Sequence, residues 1–199
     1  IVNVNFVNSE NRQCAGIAYQ TAKNKAATIT DCYVGGNLSI TLPQVIANNL
    51  YLSGLISIFS PKGSATTTIK NCYFKGVMSI NGTSTDEYGF GLIGNEDNRY
   101  SSYLKCSDCY ASFSFIKSSK SKGSYVAGLM PWHTQTDDNT TNCHYICEDN
   151  YYLASSKSLD SDAELAQYFK GKEGWLEGAW RPVLKSARHY DTYGVDLLP

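Results

Sequence analysis

Charged side chains that could act on a substrate gather in only two places in this 199-residue chain. Glu96, Asp97 and Arg99 follow one Gly-Leu pair, and Trp132, His133, Asp137 and Asp138 follow the next. If equivalent loops are neighbours in space, these groups converge. Two carboxylates flanking a glycosidic bond are the equipment of hydrolysis, and carboxylates beside a basic group could hold Ca²⁺ for a lyase. The plainer reading is two solvated polar loops with a surface Trp, and His133 alone assigns no role. On that reading the chain carries no catalytic residue, no metal and no cofactor, and the loop residues serve at most as ligand contacts.

Two other sets of residues recur at matched intervals. Tyr33, Tyr73, Tyr110 and His144 each follow a cysteine. Rings presented one per repeat make a flat platform for sugar faces, and equally a ladder that stabilises parallel strands with no ligand. The cysteines number seven, an odd count that leaves at least one thiol outside any disulfide framework. Cys106-x-x-Cys109 with Cys143 and Cys147 departs from zinc-ligand spacing, because the second pair lies four apart on an alternating run. Cys32, Cys72, Cys109 and Cys143 read better as small buried hydrophobes. Stacked in parallel, their Cα–Cβ vectors point the same way, which suits a disulfide poorly.

The elements that position these residues come from an internal repeat. Five segments superimpose: Ile1-Val2-Asn3-Val4-Asn5-Phe6, Ile29-Thr30-Asp31-Cys32-Tyr33-Val34, Ile69-Lys70-Asn71-Cys72-Tyr73-Phe74, Cys106-Ser107-Asp108-Cys109-Tyr110-Ala111 and Thr140-Thr141-Asn142-Cys143-His144-Tyr145. Between them recur Gly16-Ile17-Ala18, Gly54-Leu55-Ile56, Gly91-Leu92-Ile93-Gly94 and Gly128-Leu129-Met130. Within a unit the apolar residues fall on every second position, as in Cys72, Phe74, Met78 and Ile80, or Cys109, Ala111, Phe113 and Phe115. That is the period of a strand with one face inward.

Before each run the phase slips. Ile69 and Cys72 both look inward although they are three apart, so one residue between them breaks the alternation. The residue before each cysteine is Asn or Asp (Asn3 by analogy, Asp31, Asn71, Asp108, Asn142), the types that best tolerate a left-handed backbone. A stacked bend there predicts a ladder of mutually hydrogen-bonded side chains. Equivalent strands recurring in this way imply parallel stacking, while the Asn-Gly turns of antiparallel hairpins do not recur. The expected fold is all-β, a right-handed parallel β-helix of about five coils over 1–150, at about 4.8 Å per coil.

After residue 150 the pattern changes. Ser161-Asp162-Ala163-Glu164 is a capping box before Leu165, Tyr168 and Phe169, so a short helix is expected. With Trp175, Trp180 and Leu184 it forms a small helix and aromatic cap over 151–190, expected to close the open end of the stack. Residues 191–199 read as a tail or linker. A net charge of −1 with no basic run argues against nucleic-acid binding. No stretch is apolar for long enough to insert in a membrane as a helix. Opening inside a strand-like run without Met, the chain reads as a fragment of a longer one.

Gly91-Leu92-Ile93-Gly94 with the Asn-Cys-Tyr strands resembles the GLUG-motif repeats of bacterial surface proteins. Only that element carries both glycines; Gly54-Leu55-Ile56-Ser57, Gly128-Leu129-Met130-Pro131 and Gly16-Ile17 depart from it. The resemblance implies an exported, cell-surface bacterial protein that is structural or adhesive, with a glycan or a host or cell-surface protein as partner. Two other functions remain open: a carbohydrate-active enzyme built on the Glu96, Asp97, His133 and Asp137 loops, and a phage or secretion appendage.

Overall fold

The computed structural model describes residues 4–7, 13–20, 26–42, 49–58, 66–95, 104–118, 123–130, 140–147, 159–176, 182, 184 and 185. These residues are mostly β-strand, arranged in parallel sheets. Loop residues Glu96, Asp97, Trp132, His133 and Asp137 lie outside the described residues, as do Arg99, Asp138 and Asn3.

One sheet is set by the Asn-Cys-Tyr segments. Strands β1 (Val4–Val7), β4 (Ala27–Thr30), β5 (Tyr33–Thr41), β8 (Thr67–Lys70), β9 (Tyr73–Asn81), β12 (Leu104–Ile116) and β14 (Thr140–Cys147) all belong to it. Strand β12 runs through the bend: Leu104–Ser107 pairs with β8, and Tyr110–Ile116 pairs with β9. The second sheet holds β2 (Gln13–Ala15), β6 (Leu50–Ser53), β10 (Asp86–Phe90) and β13 (Gly123–Ala127), and the third β3 (Ala18–Gln20), β7 (Ile56–Ile58) and β11 (Ile93–Asn95). Every pairing between these strands is parallel, and equivalent residues of successive repeats face each other, as Tyr33, Tyr73 and Tyr110 do.

All three sheets send side chains into one core, which includes Leu38, Ile40, Leu52, Ile56, Ile69, Phe74, Met78, Ile93 and Val126. Each fully buried Leu, Ile or Phe contributes about 1.5–3 kcal/mol relative to exposure. Every second residue of β9 points inward, and Cys72, Phe74, Met78 and Ile80 are buried. Between the second and third sheets the chain bends at glycine. A Cβ at Gly91 would lie 1.8 Å from the Gly128 carbonyl oxygen, and one at Gly54 2.1 Å from that of Gly91. Glycine is required in these bends because successive backbones approach too closely for a side chain.

The bend in the large sheet falls at Asp31, Asn71, Asp108 and Asn142, each left-handed with φ between 50° and 54°. Asn71 Nδ2 donates to Asp31 Oδ1 at 3.1 Å, and Asn142 Nδ2 to Asp108 Oδ1 at 2.8 Å. The ladder is therefore two Asn–Asp rungs; Asn71 Oδ1 is buried with no hydrogen-bond partner among the described residues.

Two expectations are corrected. Val4 lies opposite Leu38 and Phe6 opposite Ile40, six residues from the alignment that set Val4 beside Cys32. Val4 and Phe6, on one parity of a four-residue strand, fit either register by alternation alone, and here they stand opposite Leu38 and Ile40. The second correction concerns the C-terminal segment. Helix α1 (Asp162–Phe169) is capped by Ser161, whose Oγ accepts from Glu164 N–H at 3.1 Å. Leu165, Phe169, Trp175 and Leu184 pack on Tyr73 and Tyr110, with Tyr33 and Ile146 beside them. The segment thus lies along the outward face across four neighbouring strands, touching the β14 edge through Leu159 N–H to Tyr145 O at 2.8 Å.

Candidate functional site

The outward tyrosines of the large sheet stack as a ladder. Ring centroids are 5.0 Å apart for Tyr33–Tyr73 and 4.7 Å for Tyr73–Tyr110, with interplanar angles of 14° and 5°. The faces of Tyr73 and Tyr110 are not offered to a ligand. Tyr73 is 4% exposed and Tyr110 1%, because Trp175 and Phe169 lie against them. Tyr110 Oη donates to the Pro182 carbonyl at 2.8 Å, so even its polar tip is used inside the protein. His144 continues the row, stacked on Tyr168 at 3.8 Å, with Nε2 3.1 Å from Asn142 Oδ1. Burial holds the imidazole below its usual pKa, against the opposing pull of Cys143 and Glu164. Outward parity in the strand did not mean solvent exposure. The sugar-platform reading therefore gives way to an internal packing role for Tyr73 and Tyr110, while Tyr33 and His144 at the ends of the row stay partly exposed.

A second aromatic row was not singled out from the sequence. Tyr51, Tyr88 and Tyr125 face one another across β6, β10 and β13. Their rings stack at 4.7 and 4.9 Å, and Tyr51 and Tyr88 both lie parallel to Phe90 at 6.3 Å. Tyr88 and Tyr125 are partly exposed, whereas Tyr51 is 8% exposed. Gln13 lies opposite Tyr51 at the end of the row, and Ser57 Oγ donates to its Oε1 at 2.7 Å. The Gln13 amide and the Ser57 hydroxyl at the end of the row are buried and bonded to each other. The signal that could have found it is the equal spacing of the three tyrosines, which matches the interval from Cys72 to Cys109.

One buried acid also escaped sequence reasoning. Glu87 is fully buried, accepting from Ser84 Oγ at 3.1 Å and from Ser118 N–H at 2.9 Å. Those bonds tie the turn before β10 to the end of β12, which is a structural task.

The inward cysteines form a column. Cys72, Cys109 and Cys143 are buried and Cys32 is partly buried; all seven cysteines are free. Cys109 faces Cys143 across the β12–β14 pairing, and Cys147 faces Phe113, which sets it apart from the others. Cys106, Cys109 and Cys143 bring their sulfur atoms within 4.8 Å of one another. Burial, foremost, and the neighbouring thiols push Cys109 well above the usual thiol range. Cys106 is also raised: its hydrogen bond with Cys109 acts downward, but Cys143 and burial together outweigh it. Cys143 is the one drawn well below, since hydrogen bonds from Cys106 and Cys109 overcome the effect of burial.

No helix among the described residues is long and apolar enough to cross a membrane. No protein-family model, no curated protein and no solved structure matches this chain.

Proposed function

We propose that this chain is a non-catalytic repeat module of an exported bacterial surface protein, a right-handed parallel β-helix of GLUG type, with an adhesive face that holds glycan. The three parallel sheets around one core, with equivalent positions paired from β4 and β5 through to β14, support the β-helix. The stacked Gly bends and the resemblance of Gly91-Leu92-Ile93-Gly94 to the GLUG element support the family and the cell-surface location. Free thiols fit poorly with oxidising surroundings in general, but burial of every cysteine except Cys32 shields them from oxidant.

The observation that carries the binding reading is the Tyr51, Tyr88 and Tyr125 row. It joins aromatic surface to phenolic hydroxyls, with Tyr88 and Tyr125 reaching solvent. Apolar ring surface with neutral hydrogen-bonding groups is the chemistry that recognises a sugar, whose ring offers C–H faces and equatorial hydroxyls. Binding of soluble polysaccharides to the purified chain tests it. Loss of binding in Tyr88→Ala, with binding kept in Tyr168→Ala, is the expected result. Undiminished binding by Tyr88→Ala, or no binding across neutral and acidic polysaccharides, would refute it.

A further inference from the structure

The repeat accounts for Cys32, Cys72, Cys109 and Cys143, which take the same inward position strand after strand. It does not account for Cys106. In register with Cys106 are Ile69 on β8 and Thr140 on β14, and opposite Ile69 lies Ile29. A thiol stands where the two preceding repeats place isoleucine, and it does so beside Cys109 and Cys143.

The backbone explains why the three sulfurs meet. Asp108, with φ at 50°, turns residues 106 and 109 to the same side of β12. A Cys-x-x-Cys pair then closes on one point, and Cys143, directly opposite Cys109, supplies the third sulfur. All three are buried and free. The backbone N–H of Cys72 points at Cys109 Sγ from 3.3 Å, the kind of donor that orients and stabilises a ligating sulfur.

We propose that Cys106, Cys109 and Cys143 form a three-thiolate site for a divalent cation of the zinc class. Zinc holds thiolates at about 2.3 Å, which places tetrahedral sulfurs about 3.8 Å apart. The triangle needs a contraction of no more than about 1 Å to reach that. Three thiolates alone would bury three negative charges at prohibitive cost. With a divalent ion, one net charge remains, and it is hydrogen-bonded by the Cys72 amide. Binding displaces the thiol protons, so affinity falls as pH falls. This inference does not depend on the glycan reading.

Titration of the reduced, chelator-treated chain with Cd²⁺, followed by the ultraviolet thiolate-to-metal charge-transfer band, tests the site. One ion per chain is expected, with weaker binding at lower pH. The decisive variant is Cys106→Ile, which restores the residue of the neighbouring repeats and so keeps the fold. It should bind Cd²⁺ about a hundredfold more weakly or not at all, with an unchanged urea midpoint. Cys147→Ala, whose sulfur lies outside the triangle, should bind as the unmodified chain does. Equal binding by Cys106→Ile, absence of the band in the unmodified chain, or, in the chain as purified before reduction, a mass two hydrogens lower in place of metal would each overturn the proposal. The last result would mark the triangle as a disulfide.

Discussion

The two tyrosine rows are built alike and used differently. Both run across parallel strands with rings 4.7 to 5.0 Å apart. In the large sheet, α1, Trp175 and Leu184 lie on the row, and its central Tyr73 and Tyr110 become core residues, while Tyr33 and His144 at its ends stay partly exposed. In the second sheet the row keeps Tyr88 and Tyr125 partly in solvent. Ring stacking between parallel strands thus stabilises the sheet in either place. What distinguishes a packing row from a binding row is whether the rest of the chain lies across it.

Truncation should separate the rows most sharply at their centres. Tyr110→Ala removes a ring that is 1% exposed, stacked on Tyr73 and against Phe169 and Trp175, together with its bond to Pro182. A loss of about 3–5 kcal/mol is expected in urea unfolding. A loss below about 1 kcal/mol would mean that the C-terminal segment is not seated on the row.

The bend that aims Tyr73 comes next. Asn71→Ala puts an alanine at φ 51° and removes the rung to Asp31, for about 2–3 kcal/mol from backbone strain and one hydrogen bond. Asn71→Gly relieves the strain and should cost roughly 1 kcal/mol less than alanine. Equal destabilisation by Ala and Gly would show that the backbone conformation is not what Asn71 supplies.

In the second row, Tyr88→Ala loses stacking on Tyr51 and Tyr125 but vacates a partly solvated position, so about 0.5–1.5 kcal/mol is expected. If Tyr88→Ala costs as much as Tyr110→Ala, the distinction between the rows fails. The smallest effect is one of pH. His144 has a folded pKa below its unfolded value, so the unfolded chain takes up the proton first. Its contribution to stability is complete above about pH 6.5 and is lost as pH falls through the lowered folded value. Urea midpoints should therefore decline on acidification in the native chain, and less steeply in His144→Phe.

Much of this was legible in the sequence. Period-two alternation gave the inward faces of β9 and β12, and Asn or Asp before each cysteine gave four left-handed bends, because few other residues adopt that conformation without cost. Other features were illegible for physical reasons. Alternation in β1 could not decide between Leu38 and Cys32 as the partner of Val4, since both positions have the same parity. Strand parity said that Tyr73 and Tyr110 point away from the core of the sheets, but their burial depends on a segment some sixty to a hundred residues later in the chain. Tyr51, Tyr88 and Tyr125 carry no neighbouring signature like Asn-Cys, and only their equal spacing marks them. The Cys106 triangle needs both the bend at Asp108 and the register of β14, and neither alone brings the three sulfurs together.

The most direct test of the difference between the rows is tyrosine footprinting of the native chain, with oxidative labelling read residue by residue by mass spectrometry. The expected result is labelling of Tyr88 and Tyr125, with Tyr73 and Tyr110 protected until the chain is unfolded. Labelling of Tyr73 and Tyr110 at the rate of Tyr88 would contradict it, and would return the large-sheet ladder to the surface.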